Sequence, residues 1–347
     1  MNMKHSILIF PVLALLAGAC TNPLEIKFDQ APEVLILNAM LRTDDTVHFA
    51  LLSRGLVDEV VPVPDAQLRC YVNGALVAEG KHIQQESELY TSRYEFPAKI
   101  QPGDEVRLEA VKGSLRASAK VQAPQAAPLV AVDTAYVYDS PYFSSMAMRC
   151  RLQLQDLPDQ DNWYRLSVLY ETDRTDTYHY YDDFQRHFIN FGFKEDPILL
   201  DGYSKYPGKR NDITGLVTGD ELSNVYCSFR DDSFADGPAE VEIHLPMLRN
   251  SLHFVQEIFD HETYTFEPNH VTMIASLKFT LLTISKEEYD YLTQINKSLY
   301  NSLDLGPFEE PIHVPSNVEG GFGFVSVEAA STQVITLPLE EGYPFFY

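Results

Sequence analysis

Short stretches in which apolar and polar residues alternate fill the chain between residues 33 and 122. The stretch EVRLEAV, residues 105–111, alternates strictly, which is the pattern of a strand with one buried face. Turn signals separate these stretches, and Asn73-Gly74 suits the positive φ angles of a type I′ hairpin turn. Several short strands without a helical stretch predict an N-terminal immunoglobulin-like β-sandwich over residues 33–122.

The pattern changes at APQAAPLV, residues 123–130, which carries two prolines among small residues and is interpreted as a linker between domains. Beyond it, strand-like runs such as NWYRLSVLYET and MIASLKFTLLTIS predict a larger β-rich C-terminal domain over residues 131–347. The expected fold class is therefore mainly β, with one or two helices in the second domain.

One helix has a defined start in the sequence. Ser285, followed three residues later by Glu288, forms a capping box, and the pattern ends near Asn301. One apolar helical face is formed by Tyr289, Leu292, Ile295 and Leu299. A second helix is predicted over the stretch MLRNSLHFVQEIF, residues 247–259.

Residues 1–19 have the pattern of a signal peptide. Lys4 supplies the positive start, and the apolar run that follows is about ten residues long, too short for the roughly twenty helical residues that span a bilayer. Small residues precede Cys20 directly, which resembles the lipobox of bacterial lipoproteins, although leucine is usual where Ala17 stands. Cys20 is therefore the predicted lipid attachment site, and residues 20–32 are the predicted tether.

Charge and cysteine content narrow the function classes. Acidic residues number 50 against 26 basic ones, a formal charge of −24, and this charge argues against nucleic-acid binding because it repels phosphate. Beyond Cys20 the chain contains Cys70, Cys150 and Cys227, an odd number that allows at most one internal disulfide. Because all three stand in strand-like surroundings, buried thiols are expected, and whether two of them pair is left open.

The glycines near the C-terminus do not form a phosphate-binding loop. A dinucleotide fingerprint would require a third glycine where Ser326 stands, and a helix after it, whereas β-like residues follow Gly323. The glycines of Glu319–Gly323 are instead interpreted as a corner that allows close backbone approach when the chain re-enters a sheet. No cofactor is predicted.

No metal or catalytic site is predicted either. His253, His261 and His270 lie close in sequence, but nothing places them on one face. The Asp-rich stretches DLPDQDNW and RDDSFADG offer oxygen ligands for Ca²⁺, yet neither has EF-hand spacing, and Asp carboxylates in turns commonly accept backbone N–H groups. A nucleophile motif of the form G-x-S-x-G is absent from the sequence, so enzyme activity is unsupported.

An aromatic stretch, TYHYYDDFQRHFINFGF, covers residues 177–193. One interpretation places its rings in core strands and a hairpin. The other makes it an exposed surface that contacts a partner or ligand, since Tyr-rich patches are common at interfaces. The candidate contact residues are Tyr178, Tyr180, Tyr181 and Phe184.

These features together resemble the DUF4249 lipoprotein family of Bacteroidetes. The resemblance extends over nearly the whole chain, and its most specific part is the C-terminal signature, although Gly and aromatic residues are usual where this chain has Phe324-Val325-Ser326. In chain order it rests on Cys20, VLILNAMLRTDDTVHFALLSR, WYRLSV, SFRDDSFADG, ISKEEYDYL and PFEEPIHVPSNVEGGFGFVSV.

The resemblance implies a lipid-anchored outer-membrane protein, expected to face the cell exterior beside a TonB-dependent transporter. The expected function is that of an accessory component of a TonB-dependent nutrient uptake system, which captures substrate or gates the channel. The alternative is a structural or adhesive cell-surface lipoprotein without a transport role. The family supplies no catalytic or binding residue, and the ligand and the oligomeric state are left open.

Overall fold

The computed structural model describes residues 33–56, 59–84, 90–141, 143, 146–176, 181–188, 196–199, 226–246, 248, 250–260, 264–301 and 314–341. Strands dominate this part of the chain, which holds one helix, so the predicted mainly β fold is confirmed. The elements are β1 (Val34–Arg42), β2 (Val47–Gly55), β3 (Val60–Pro62), β4 (Gln67–Val72), β5 (Ala75–Glu79), β6 (Lys81–Ile83), β7 (Ser92–Pro97), β8 (Glu105–Lys112), β9 (Leu115–Gln122), β10 (Leu129–Val137), β11 (Ala147–Gln155), β12 (Trp163–Asp176), β13 (Tyr181–Phe188), β14 (Ser228–Arg230), β15 (Pro238–Pro246), β16 (Ser251–Asp260), β17 (Thr265–Ile284), α1 (Lys286–Asn301), β18 (Val325–Thr336) and β19 (Leu339–Glu341).

Twelve strands form one long sheet. Its main path is β13-β12-β17-β18-β1-β2-β7-β6, while β3, β14, β16 and β19 pair at its sides. The two halves of the chain meet at β18. Residues 325–328 pair in parallel with residues 39–42 of β1, and residues 329–336 pair antiparallel with residues 276–283 of β17.

Two smaller sheets pack against one face of the long sheet. The sheet β5-β4-β8-β9 contributes to the first hydrophobic core, and the sheet β10-β11-β15 contributes to the second. Val325 and Val327 of β18 are buried in the first core, while Ile335 packs against the second. Alternate residues of a strand share a face, so both cores lie on the side of β18 to which its odd-numbered residues point. We call this the odd-numbered side of β18 and the opposite one the even-numbered side.

The N-terminal strands follow their sequence pattern. Val106, Leu108 and Ala110 of β8 are buried, as the strict alternation predicted. Asn73 and Gly74 have φ angles of 50° and 81° and connect β4 to β5, so the predicted hairpin turn is confirmed.

The glycine-rich stretch brings the C-terminal segment against β1. Phe322 exchanges two backbone hydrogen bonds of 2.8 Å with this strand. A Cβ atom on Gly321 would lie 2.5 Å from the carbonyl oxygen of Leu35, and one on Gly323 would overlap the carbonyl oxygen of Leu37. Only glycine fits where two backbones approach this closely, so the interpretation of this stretch as a sheet corner is confirmed.

Polar side chains fix the residues around this corner. Asn317 brackets Val325, since its Oδ1 accepts the Val325 N–H at 2.9 Å and its Nδ2 donates to the Val325 carbonyl at 2.7 Å. Asn38 of β1 accepts the Phe324 N–H at 2.9 Å. The predicted C-terminal domain, residues 131–347, therefore contains a segment that packs in the first core. The boundaries of the two domains stay a prediction.

Helix α1 begins at the predicted N-cap, Ser285, although only one of the two hydrogen bonds of the predicted capping box forms, since the Glu288 carboxyl has no hydrogen-bond partner among the described residues. Ser285 Oγ accepts the N–H of Glu288 at 3.1 Å. Leu292 is fully buried and packs against Leu282 and Ile284 of β17. Tyr289 packs against the same cluster, so the helix lies on the long sheet through the part of the predicted apolar face that Tyr289 and Leu292 form.

The second helix predicted over residues 247–259 is wrong. Residues 252–260 pair with residues 265–273 of β17 as part of β16. Val255, which a helix would turn towards the core with Leu252 and Phe259, is 47% exposed in the strand. The long partner strand β17 decides the structure here, because local periodicity is weaker than a ladder of backbone hydrogen bonds.

Replacing Gly323 by alanine is expected to lower the free energy of unfolding by about 3 kcal/mol, because the residue has a φ of 118° and no space for Cβ. Gly113→Ala is the matched control: its φ is also positive, at 59°, but no atom lies within 4 Å of its Cβ position. Strain alone predicts a loss of about 1 kcal/mol there. Urea denaturation measures both values, and equal losses would contradict the docking role of Gly323.

Candidate functional site

The predicted contact residues fall only partly within the described chain. Cys20, Tyr178 and Tyr180 lie outside the described residues, and for Tyr181 the structure describes the backbone alone, as the first residue of β13. Phe184 lies on β13 with 59% of its surface exposed. Phe188, which was not among the predicted residues, lies on the same face of this strand and is 76% exposed.

The register of the sheet extends this aromatic face into a larger surface. Phe184 lies opposite Asp173 of β12, which in turn lies opposite Ile274 of β17. Met40 lies opposite Ser326, on the even-numbered side of β18, so the same side continues onto β1. We call this side of the long sheet the open face; its exposed apolar residues are Met40, Val47, Phe49, Leu51, Phe184, Phe188, Val255, Ile274 and Val334.

Charged residues accompany the apolar side chains of the open face. Arg93 lies over the ring of Phe49, 3.5 Å from its centroid. Arg186 donates to Glu171 at 2.7 Å and lies 5.7 Å from the ring centroid of Phe184. Aromatic residues and arginine are enriched at protein–protein interfaces. A surface on which arginines lie beside exposed aromatic rings is therefore suited to contact with another protein.

The two Asp-rich stretches meet in space and build one turn structure. Asp156 accepts hydrogen bonds from the Tyr164 hydroxyl, from Asn162 Nδ2 at 3.1 Å and from the N–H of Asp236 at 2.7 Å. Asp231 accepts the N–H of Asn162 at 2.7 Å. These contacts occupy both oxygens of Asp156, so its carboxylate acts as a buried acceptor that holds the two stretches together, and burial raises the pKa of Tyr164.

The histidines considered as metal ligands are only partly assembled. The rings of His253 and His270 stack with their centroids 6.1 Å apart, and His253 Nδ1 lies 3.0 Å from Thr272 Oγ1. His261 lies outside the described residues. In the part of the chain that the structure describes, no three metal-ligating side chains come together.

A cavity of about 290 Å³ lies beside the three-stranded sheet. Glu242 at its wall binds Arg151 at 3.0 Å and His244 at 3.1 Å, whereas Arg149 Nε is 3.9 Å from the same carboxylate. This volume is just below the range of ligand pockets, which starts near 300 Å³. The lining residues, which carry charges of both signs, are Val137, Asp139, Pro141, Arg149, Asp196, Pro197, Glu242 and His244.

A buried charged cluster lies where α1 meets the long sheet. Arg165 of β12 forms a direct ion pair with Glu328 of β18, and its Nη1 lies 3.9 Å from Glu288 Oε1 of α1. Burial and the neighbouring charge of Glu328 raise the pKa of Glu288 well above its usual range. No local sequence pattern indicates this cluster, because Arg165 and Glu328 are far apart in the chain.

The three thiols are free and buried, as expected. Burial raises the pKa of Cys70 to about 11 and that of Cys150 to about 12, and it raises that of Cys227 as well. Because the thiolate is the reactive form, these cysteines are inert in the folded protein.

Comparison with known proteins places the chain in a family. The model of the family described as "Domain of unknown function (DUF4249)" matches residues 21–334, so the chain belongs to this family. No curated protein matches the chain. Among solved structures, one similar chain is the "Biofilm associated protein - BSP domain", with 7% sequence identity and a TM-score of 0.15. The alignment covers 87% of this chain and 58% of that chain. This likeness is too low to carry an argument.

The described residues contain no helix with the length and apolar character needed to cross a bilayer.

Replacing Asp156 by alanine is expected to lower the free energy of unfolding by about 2–4 kcal/mol, because the buried Tyr164 hydroxyl and the part-buried N–H of Asp236 lose their acceptor, while Asn162 Nδ2 keeps the carbonyls of Leu157 and Gln160. Asp232→Ala is the control, since this side chain is 66% exposed and pairs with Arg230 at the surface. The control is expected to change stability by no more than about 0.5 kcal/mol. Thermal or urea denaturation of both variants measures the difference, and a stable Asp156→Ala protein would refute the structural role of this carboxylate.

Proposed function

We propose that this chain is a Bacteroidetes outer-membrane lipoprotein that serves as an accessory component of a TonB-dependent nutrient uptake system. Acyl chains on Cys20 anchor it to the membrane, with the folded part on the exterior side. The open face contacts the transporter, and the chain captures substrate or gates the channel from this position.

The open face is the observation that carries the proposal. Its exposed apolar residues stand on strands of one sheet, one group on β1 and β2 and the other on β13, β16, β17 and β18, and patches of exposed apolar residues commonly mark sites of protein–protein contact. Among the described residues, strand β13 ends the main path of the sheet, and an edge strand offers backbone donors and acceptors to an incoming strand. Phe184 and Phe188 on this edge supply the large rings that dominate binding energy at interfaces.

The anchor and the tether fit this arrangement. Residues 20–32 extend up to about 45 Å when stretched, at about 3.3–3.6 Å per residue. A folded part with a formal charge of −24 is repelled by anionic lipid. The protein is therefore held beside the membrane by its acyl chains while the open face stays available to a membrane-embedded neighbour.

Replacing Cys20 by serine is expected to release the protein from the membrane fraction, because several acyl chains bind a bilayer firmly and serine accepts none of them by this route. Ultracentrifugation of cell envelopes followed by immunodetection measures the distribution. Cys70→Ser, at a buried position away from the anchor, is the control and is expected to stay with the membrane. An unchanged distribution for Cys20→Ser would contradict lipid attachment.

Affinity purification of the tagged protein from solubilised outer membrane, with mass spectrometry of the co-eluting proteins, tests the partner. The expected result is a TonB-dependent transporter in near-equal amount. The double variant Phe184→Ser/Phe188→Ser is expected to lower its recovery at least tenfold, because the largest exposed rings of the open face are removed.

The control is Leu76→Ser/Val77→Ser on β5, which removes two exposed apolar side chains from a different sheet. It is expected to recover the transporter normally. Recovery of cell-envelope or host proteins without a transporter would favour the structural or adhesive alternative. Equal loss with both double variants would refute the open face as the contact surface.

A further inference from the structure

Glu288 occupies an unusual position for a carboxyl group. It lies in the first turn of α1 and is completely buried. Among the described residues, neither of its oxygens has a hydrogen-bond partner, and the same holds for the hydroxyl of Ser326 beside it. Its nearest cation, Arg165, is 3.9 Å away and is already paired directly with Glu328.

The charges around Glu288 do not balance when all groups are ionised. Strand β12 contributes Arg165, and β18 contributes Glu328, so two carboxylates face one guanidinium. Arg42, which lies opposite Glu328 on β1, directs its guanidinium to Asp44 at 2.9 Å. A buried carboxylate without its own counter-ion is strongly unfavourable, and binding of one proton removes the excess charge.

Aromatic side chains complete the surroundings of Glu288 and Arg165. Tyr226, from the turn before β14, lies 5.6 Å from the guanidinium of Arg165. Tyr291 of α1 stacks on Phe324 with ring centroids 4.1 Å apart. Lys286 pairs with Asp290 on the solvent side of the helix, so it does not neutralise the buried pair.

We propose that Glu288 carries a proton in the folded protein and that this proton holds α1 against the junction of the long sheet. We call the group formed by Glu288, Glu328 and Arg165 the clasp. In the clasp, Glu328 and Arg165 form the ion pair, and the neutral carboxyl of Glu288 fits into the remaining buried space. Loss of the proton leaves a second negative charge under the helix and drives α1 away from the sheet.

The direction of the pH dependence follows from the raised pKa of Glu288. In the undocked helix this group titrates near the usual value of a glutamate, about 4.3. The docked form therefore holds a proton that the undocked form has released, so docking of α1 is strongest at low pH and weakens as the pH rises towards the pKa of the docked form. This inference does not depend on the proposed partner. Its consequence is that the middle of the open face, which α1 covers, becomes accessible in alkaline conditions.

Trp163 reports the state of the clasp directly. It is the single tryptophan of the chain, and it packs in the cluster formed by Leu282, Ile284 and Leu292 beneath α1. Separation of the helix from the sheet would expose its indole to solvent. The experiment measures acrylamide quenching of tryptophan fluorescence between pH 5 and pH 9 in the full chain and its variants.

The native protein is expected to show at least a twofold rise in the quenching constant across this range. Glu288→Gln, which keeps the shape of the protonated side chain but cannot ionise, is expected to show a constant value. Glu287→Gln is the matched control, because the neighbouring residue is exposed, and it is expected to behave as the native protein does.

Glu328→Gln provides a second, independent variant. It leaves one carboxylate, Glu288, facing Arg165, so the excess charge disappears and the pH dependence is expected to be lost here also. A flat profile in the native protein, or the same rising profile in Glu288→Gln and Glu328→Gln, would overturn the proposal.

Discussion

The backbone pairing of β18 with two partner strands is the constraint on which the rest of the structure depends. Its first four residues extend the N-terminal sheet through β1, and its last eight extend the C-terminal sheet through β17. A strand cannot rotate between neighbours without breaking its ladder, so both halves of the chain share one sheet and one orientation of side chains. The glycine corner makes this pairing possible, because Gly321 and Gly323 allow the segment before β18 to touch the backbone of β1.

The shared sheet also determines which surface is exposed for contact with other molecules. Both smaller sheets cover the odd-numbered side of β18, which leaves the even-numbered side to α1 and to solvent in the described structure. Phe184 and Met40 belong to different halves of the chain, yet the sheet places them on the same open face. The clasp sits at the centre of this face, where β12, β18 and α1 meet. The proposed partner surface and the proposed proton-sensitive clasp are therefore parts of one sheet.

The sequence was most informative where structure depends on near neighbours. The alternation around Val106, the turn at Asn73-Gly74 and the N-cap at Ser285 were all recognisable, because each uses residues within a few positions of one another. Contacts between distant segments left no local signal: Arg165 and Glu328 are paired across 163 positions. The same limit explains the error at residues 247–259, where helical spacing was overridden by pairing with β17, and the junction of the two Asp-rich stretches, which the sequence presented only as separate turns.

Because β18 pairs with strands of both halves, we expect the two cores to unfold as one cooperative unit. The buried cysteines test it, because Cys70 lies in the first core while Cys150 and Cys227 lie in the second. Pulsed thiol labelling across a urea series, with the labelled residues identified by mass spectrometry, reports the opening of each core separately. If the two cores unfold together, all three cysteines become reactive at the same urea concentration. Exposure of Cys70 at a clearly different concentration from Cys150 and Cys227 would contradict it.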